Sequence, residues 1–133
     1  MILHGLFNIF GVATVAITIA AAAPTAPSLH LGSKEMDLGS IPLDSVKYGE
    51  VWVHNRGAEP LVITQVFTDC SCTATEYAKD PIEPGDSAVL RVRFNSRGRG
   101  PGSFRKVVRI RSNARNRTEL LFIKGKIKRP MLK

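Results

Sequence analysis

Apolar residues recur at every second position through short runs of this chain, and Gly, Pro, Asn and Asp separate the runs. In AVLRVRF, Ala88, Leu90, Val92 and Phe94 fall on one side, and Val89, Arg91 and Arg93 on the other. A period of two suits a strand with one buried face, because successive side chains point to opposite faces. The pattern recurs in MDLGSI (residues 36–41) and in YGEVWVHN, where Val51 and Val53 oppose Trp52 and His54. SFRKVVRIRSN turns Phe104, Val108 and Ile110 inward and Arg105, Val107, Arg109 and Arg111 outward. TELLFIKGKI turns Leu121, Ile123 and Ile127 inward and leaves Leu120, Phe122, Lys124 and Lys126 outward. The β-branched run LVITQVF reads as a strand buried on both sides for part of its length. NRGAEP is a turn in which Gly57 is free to take positive φ, and DPIEPGDS turns at Pro84 and Gly85. NSRGRGPG is a flexible basic loop. No segment keeps a helical period over three turns. The expectation is an all-β, immunoglobulin-like antiparallel β-sandwich of about seven strands. Val51, Val53, Leu61, Ile63, Leu90, Val92, Phe94, Val108, Ile110, Leu121 and Ile123 form its core.

The N-terminus reads differently. Residues 6–23 are apolar apart from Asn8 and two threonines, and an alanine run leads to Pro24 and Pro27. An apolar stretch ending in small residues reads as a secretory signal, with Ala20 and Ala22 as an A-x-A site. This divides the chain into a signal peptide (1–22), a linker (23–33), the sandwich domain (34–128) and a tail (129–133). About 18 apolar residues also suffice for an uncleaved anchor, the only membrane contact the sequence offers. Either way the domain is exported, to the periplasm or the exterior.

Charge is distributed unevenly. Residues 34–86 hold 4 basic and 10 acidic side chains, a difference of −6; residues 87–133 hold 15 basic and 1 acidic, a difference of +14. Acidic and basic strands can pair internally, but the basic excess cannot all be neutralised that way. Arg105, Arg109 and Arg111 share one side of a strand, and pairing with the last strand adds Phe122, Lys124 and Lys126. Guanidinium groups beside an aromatic ring suit an anionic partner. For an exported chain that partner is an envelope protein or an anionic envelope polymer rather than nucleic acid. The alternative is that these side chains only solubilise an exposed sheet face.

Motifs for catalysis are missing. There is no nucleophile elbow, phosphate loop or H-E-x-x-H, and SRGRGPG precedes a strand rather than opening a helix. His4 belongs to the signal, His30 to the linker, and His54 to a solvated strand end. Asp69, Glu76, Asp80, Glu83 and Asp86 gather around the cysteine loop as turn formers. No catalytic residue, metal site or cofactor is assigned. Cys70 and Cys72, the only cysteines, remain. In an extended strand, residues two apart are separated by about 6.4–6.8 Å, too far for a disulfide, so a bond between them requires a turn at Ser71. An exported chain meets oxidising conditions, and a loop-tying disulfide is the preferred reading. The ring it closes is small, so the bond should reduce more readily than an ordinary structural one. The alternatives are a copper or zinc site, for which two thiolates are incomplete, and a thiol-redox role. The redox role ranks last, because no basic neighbour or helix N-terminus is evident and Asp69 and Glu76 disfavour a thiolate.

The segments DLGSI, NRGAEPLVI, CSCT, IEPGDS, VRF, GSFRKVVRIRSN and LLFIKGKI occur in the order typical of a family of bacterial secreted proteins. The chain resembles the domain-of-unknown-function family fifteen-seventy-three over about residues 36–127. That family is similar in pattern to immunoglobulin-like domains of cilium and spindle proteins and to PapD-like domains. The resemblance implies the sandwich fold and export, and supplies no mechanism. The family usually has Gly between the cysteines; Ser71 stands there in this chain, which counts against a tight turn needing positive φ.

Together these readings point to a non-enzymatic, exported binding or scaffolding domain. The secreted product is expected to begin near Ala23. N-terminal sequencing of the mature protein checks this, and recovery of Met1 would overturn cleavage.

Overall fold

The computed structural model describes residues 26–129. The stretch expected to be a signal peptide (1–22), which includes His4, and most of the expected tail lie outside them. Eight strands form, one more than the seven expected: β1 (Leu29–Leu31), β2 (Glu35–Pro42), β3 (Val46–Asn55), β4 (Ile63–Thr68), β5 (Thr73–Tyr77), β6 (Ser87–Asn95), β7 (Gly102–Ser112) and β8 (Thr118–Lys128). They build two four-stranded sheets, ordered β1-β3-β6-β5 and β2-β8-β7-β4.

The sheets are held face to face by the alternation itself. The inward residues of β3, β6, β7 and β8 meet between them, and all eleven of the expected core residues are buried. Phe94 is completely buried, and its ring stacks on Phe104 with centroids 4.2 Å apart. Gly125 lies under that pair. A Cβ there would stand 2.8 Å from the Phe104 ring, so only glycine lets β8 run beneath it.

Four features depart from the sequence reading. Leu29–Leu31, in the segment read as linker, form a strand: Leu29 and Leu31 are buried, and His30 pairs with His54 of β3. The chain then changes sheets, so that β2 pairs with β8 in parallel and the sandwich is mixed rather than wholly antiparallel. LVITQVF is not buried on both sides. Leu61 and Ile63 face the core, but β4 is an edge strand with Phe67 36% exposed. Gly57 does not take positive φ. It is required by close approach instead, since a Cβ there would stand 2.7 Å from the Cα of Pro27.

Phe94→Ala is expected to cost about 3–5 kcal/mol, because it removes a fully buried ring and one half of the Phe94–Phe104 stack. A melting curve equal to that of the parent would show the core face to be misassigned.

Candidate functional site

β7 and β8, with 11 residues each, lie at the centre of the second sheet and present its longest outer surface. Their register sets Arg105 beside Lys124, Val107 beside Phe122, Arg109 beside Leu120 and Arg111 beside Thr118. Ser103 stands beside Lys126. The six residues expected to form a basic face therefore do share one face. β2 adds Glu35 next to Phe122 and Asp37 next to Lys124. On the other flank β4 adds Phe67 next to Arg109 and Gln65 next to Arg111.

Two arginines on this face lie near aromatic rings. The Arg105 guanidinium is 4.4 Å from the Phe122 ring centre, and that of Arg111 is 6.0 Å from Phe67. Such placement orders a guanidinium while leaving N–H groups free to donate. Phe67 joins the face although the β-branched run around it reads as a strand buried on both sides.

Arg109 donates to Asp69 Oδ1 at 2.7 Å, and Lys124 Nζ stands 3.6 Å from Glu35. A third ion pair, Arg91 with Glu50 at 4.0 Å, lies on the other sheet. Each of the three joins an acid from residues 34–86 to a base from residues 87–133, so internal pairing takes up part of the charge asymmetry. The six expected residues supply five cations (Arg105, Arg109, Arg111, Lys124, Lys126), and the three carboxylates Glu35, Asp37 and Asp69 lie among them, a net of +2 for this group. Among the described residues, Arg105, Arg111 and Lys126 have no carboxylate within 4 Å.

The cysteines lie where the chain crosses from β4 to β5. The Thr73 N–H donates to the Cys70 carbonyl at 3.1 Å, closing a four-residue turn, and the Asn95 N–H fastens the Cys72 carbonyl at 2.8 Å. The turn brings the two Cα atoms to 5.1 Å, with the sulfurs at disulfide distance. Ser71 sits within it without positive φ, so serine is no obstacle there. Cys72 is buried at 7% exposure, whereas Cys70 is half-buried.

A basic neighbour of the cysteines is present, contrary to the sequence reading. Arg99, in the loop between β6 and β7, donates from Nη2 to Cys70 Sγ at 2.8 Å. The Cys72 N–H donates to the same sulfur, with nitrogen and sulfur 3.2 Å apart. Of the two acids thought to oppose a thiolate, Asp69 is engaged by Arg109, and Glu76 faces outward opposite Arg91. The five acids do not converge on the cysteines. Asp86 lies at the other end of the sandwich, where its carbonyl accepts from the Asn55 N–H. Nor is His30 a linker residue: its ring centroid lies 6.4 Å from that of His54. Among the described residues, no group of three or more His, Cys, Asp or Glu is placed to hold a metal.

The family model described as "Protein of unknown function (DUF1573)" matches residues 29–127. The chain belongs to this family. Its match begins at β1, seven residues before the stretch on which the resemblance was drawn. No curated protein matches the chain. Several solved structures share the fold of this DUF1573 domain. One is a protein of unknown function from Porphyromonas gingivalis W83, with a TM-score of 0.67 and 20% identity over 80% of this chain and 50% of that one. The PapD-like domain 7 of human CEP192 aligns over 98% of this chain and 99% of its own, with a TM-score of 0.62 and 9% identity. The periplasmic chaperone SfaE aligns over 79% of this chain and 59% of its own, with a TM-score of 0.53 and 14% identity. The domain thus spans half of the Porphyromonas gingivalis chain, and 32% of a further match, the Vibrio cholerae protease VesB. At these identities the likeness shows an immunoglobulin-like, PapD-like fold and nothing finer.

Proposed function

We propose that this domain is an exported binding or scaffolding module of the cell envelope, and that the outer face of β7 and β8 takes an anionic partner. The observation that carries the reading is the arrangement of Arg105, Arg111 and Lys126, exposed and without carboxylate neighbours, with the two arginines set near Phe122 and Phe67. On an extended strand Arg105 and Arg109 lie about 13 Å apart, and Arg109 and Arg111 about 6.7 Å. That spacing suits repeated carboxylate, phosphate or sulfate groups along an envelope polymer, or an acidic protein surface, better than one small anion. The apolar strip of Phe67, Val107, Leu120 and Phe122 between the cations adds contact area. Similarity to a periplasmic chaperone supports placement outside the cytoplasm.

One observation favours a second reading, addition of a partner strand. β1 covers β3 only at Val53, His54 and Asn55, with one further bond from the Gly32 N–H to the Trp52 carbonyl. Among the described residues nothing pairs with the edge of β3 before Trp52, where Val46 and Tyr48 are 40% and 46% exposed, and Trp52, 54% exposed, stands where that cover ends. An extended peptide laid along that edge would meet these side chains in turn.

Heparin serves as a polyanion probe. Its affinity is expected to fall on the order of a hundredfold between about 50 and 200 mM salt, if five cations release counterions. Replacing Arg105, Arg109 and Arg111 together by glutamate is expected to abolish binding while leaving the melting temperature within a few degrees, because all three are exposed. Undiminished binding by the triple variant would reduce these arginines to solvated surface. Binding lost instead on changing Tyr48 and Trp52 would favour strand addition.

A further inference from the structure

We infer that the Cys70–Cys72 disulfide is a redox-active pair that takes two electrons from a substrate dithiol, with Cys70 as the attacked sulfur and Arg99 as the group that holds it in its reduced form. The inference does not rest on the proposed anion-binding face of β7 and β8; the cysteines lie in the crossing from β4 to β5.

Three observations point the same way. The sulfurs are unequal in access: Cys72 is 7% exposed, and Cys70 is half-buried at a turn whose central Ser71 is exposed. They are unequal in electrostatics too. Cys70 Sγ has the Arg99 Nη2 at 2.8 Å and the Cys72 backbone nitrogen at 3.2 Å, one full charge and one backbone dipole directed at a single sulfur. A cation and an N–H donor favour thiolate over thiol. Arg99 is also held by structure. Ser96, with 0% exposure, donates from its hydroxyl to the Pro42 carbonyl at 2.7 Å and accepts from the Ser45 N–H at 2.9 Å. The Arg99 N–H then donates to the Ser96 carbonyl at 3.0 Å, so the loop that delivers the guanidinium is tied to the loop between β2 and β3. A loop-tying disulfide needs no such cation.

The exchange follows from this asymmetry. A substrate thiolate, drawn by Arg99, attacks Cys70 Sγ. The S–S bond breaks, and its electron pair leaves on Cys72, which takes a proton from solvent beside the Thr73 hydroxyl, 3.5 Å away. The second substrate thiol loses its proton and attacks the substrate sulfur of the mixed disulfide. Cys70 leaves as a thiolate held by Arg99. The substrate has lost two electrons and two protons and holds a disulfide. The domain has gained two electrons and holds Cys70 as thiolate and Cys72 as thiol, with the remaining proton in solvent. Stabilising the reduced pair makes the disulfide the better oxidant.

The test equilibrates the oxidised protein in anaerobic glutathione buffers at pH 7, quenches with acid, alkylates, and reads the reduced fraction by intact mass. Half-reduction is expected in buffers that leave ordinary structural disulfides oxidised, with the far-ultraviolet circular dichroism unchanged. Arg99→Ala should lower the equilibrium constant for reduction about tenfold, equal to about 30 mV for two electrons, and Arg99→Lys should restore most of it. Offered a disulfide-bonded peptide, Cys72→Ser should accumulate a mixed disulfide on Cys70 at least tenfold faster than Cys70→Ser does on Cys72. A pair that stays oxidised in these buffers, an equilibrium unmoved by Arg99→Ala, or loss of fold on reduction would each overturn the assignment and leave a structural disulfide.

Discussion

Backbone groups at the ends of buried strands must still find partners, and in this sandwich two buried side chains largely decide how they do. At one end stands Asn55, 1% exposed. Its amide donates to the Glu59 and Ile82 carbonyls at 2.7 and 2.8 Å, and its carbonyl oxygen accepts from the Gly57 N–H at 2.9 Å. At the other end Ser96 joins the loop before β3 to the loop after β6. Among the described residues no buried side-chain nitrogen or oxygen lacks a partner. A buried polar group left unpaired costs about 1–3 kcal/mol, so these contacts fix loop conformations that hydrophobic burial alone would leave open. The Ser96 end carries the consequence for chemistry, because its tie places Arg99 against Cys70.

The outer face of β7 and β8 follows from a different compromise. Alternation forces every second residue outward, and here it sets Arg105 directly beside Lys124. Like charges opposite one another on a sheet are unfavourable. The pair is accommodated because Arg105 lies over Phe122 while Lys124 turns toward Glu35. These are exposed contacts of modest strength, so the charges stay available to a partner. Under the proposed role, a polyanion settling on this face would relieve a repulsion already built into it.

Most of the sandwich was legible in the sequence because a half-buried strand writes its two faces into alternate positions. β6, β7 and β8 read directly, and with them the membership of the basic face. β1 was missed because three residues are too few to show a period, and its buried Leu29 and Leu31 sit next to a segment that resembles a linker. The edge position of β4 was hidden by its β-branched composition, which looks the same in a central strand. The parallel pairing of β2 depends on where the chain changes sheets, which local pattern does not record. Arg99 was hidden for another reason. It lies 29 positions from Cys70 in an aperiodic, glycine-rich loop, and only the closure of the sandwich at Ser96 brings them together.

Under the proposed role, the face built by β7 and β8 is the one that meets a partner. Residue-resolved amide NMR during titration with a polyanion decides the point. Shifts are expected to concentrate on Arg105, Arg109, Arg111, Phe122, Lys124 and Lys126 and to fade as salt is raised, with β3 and β5 unmoved. Shifts gathered instead along Val46, Tyr48 and Trp52, or spread evenly over every basic residue, would contradict it.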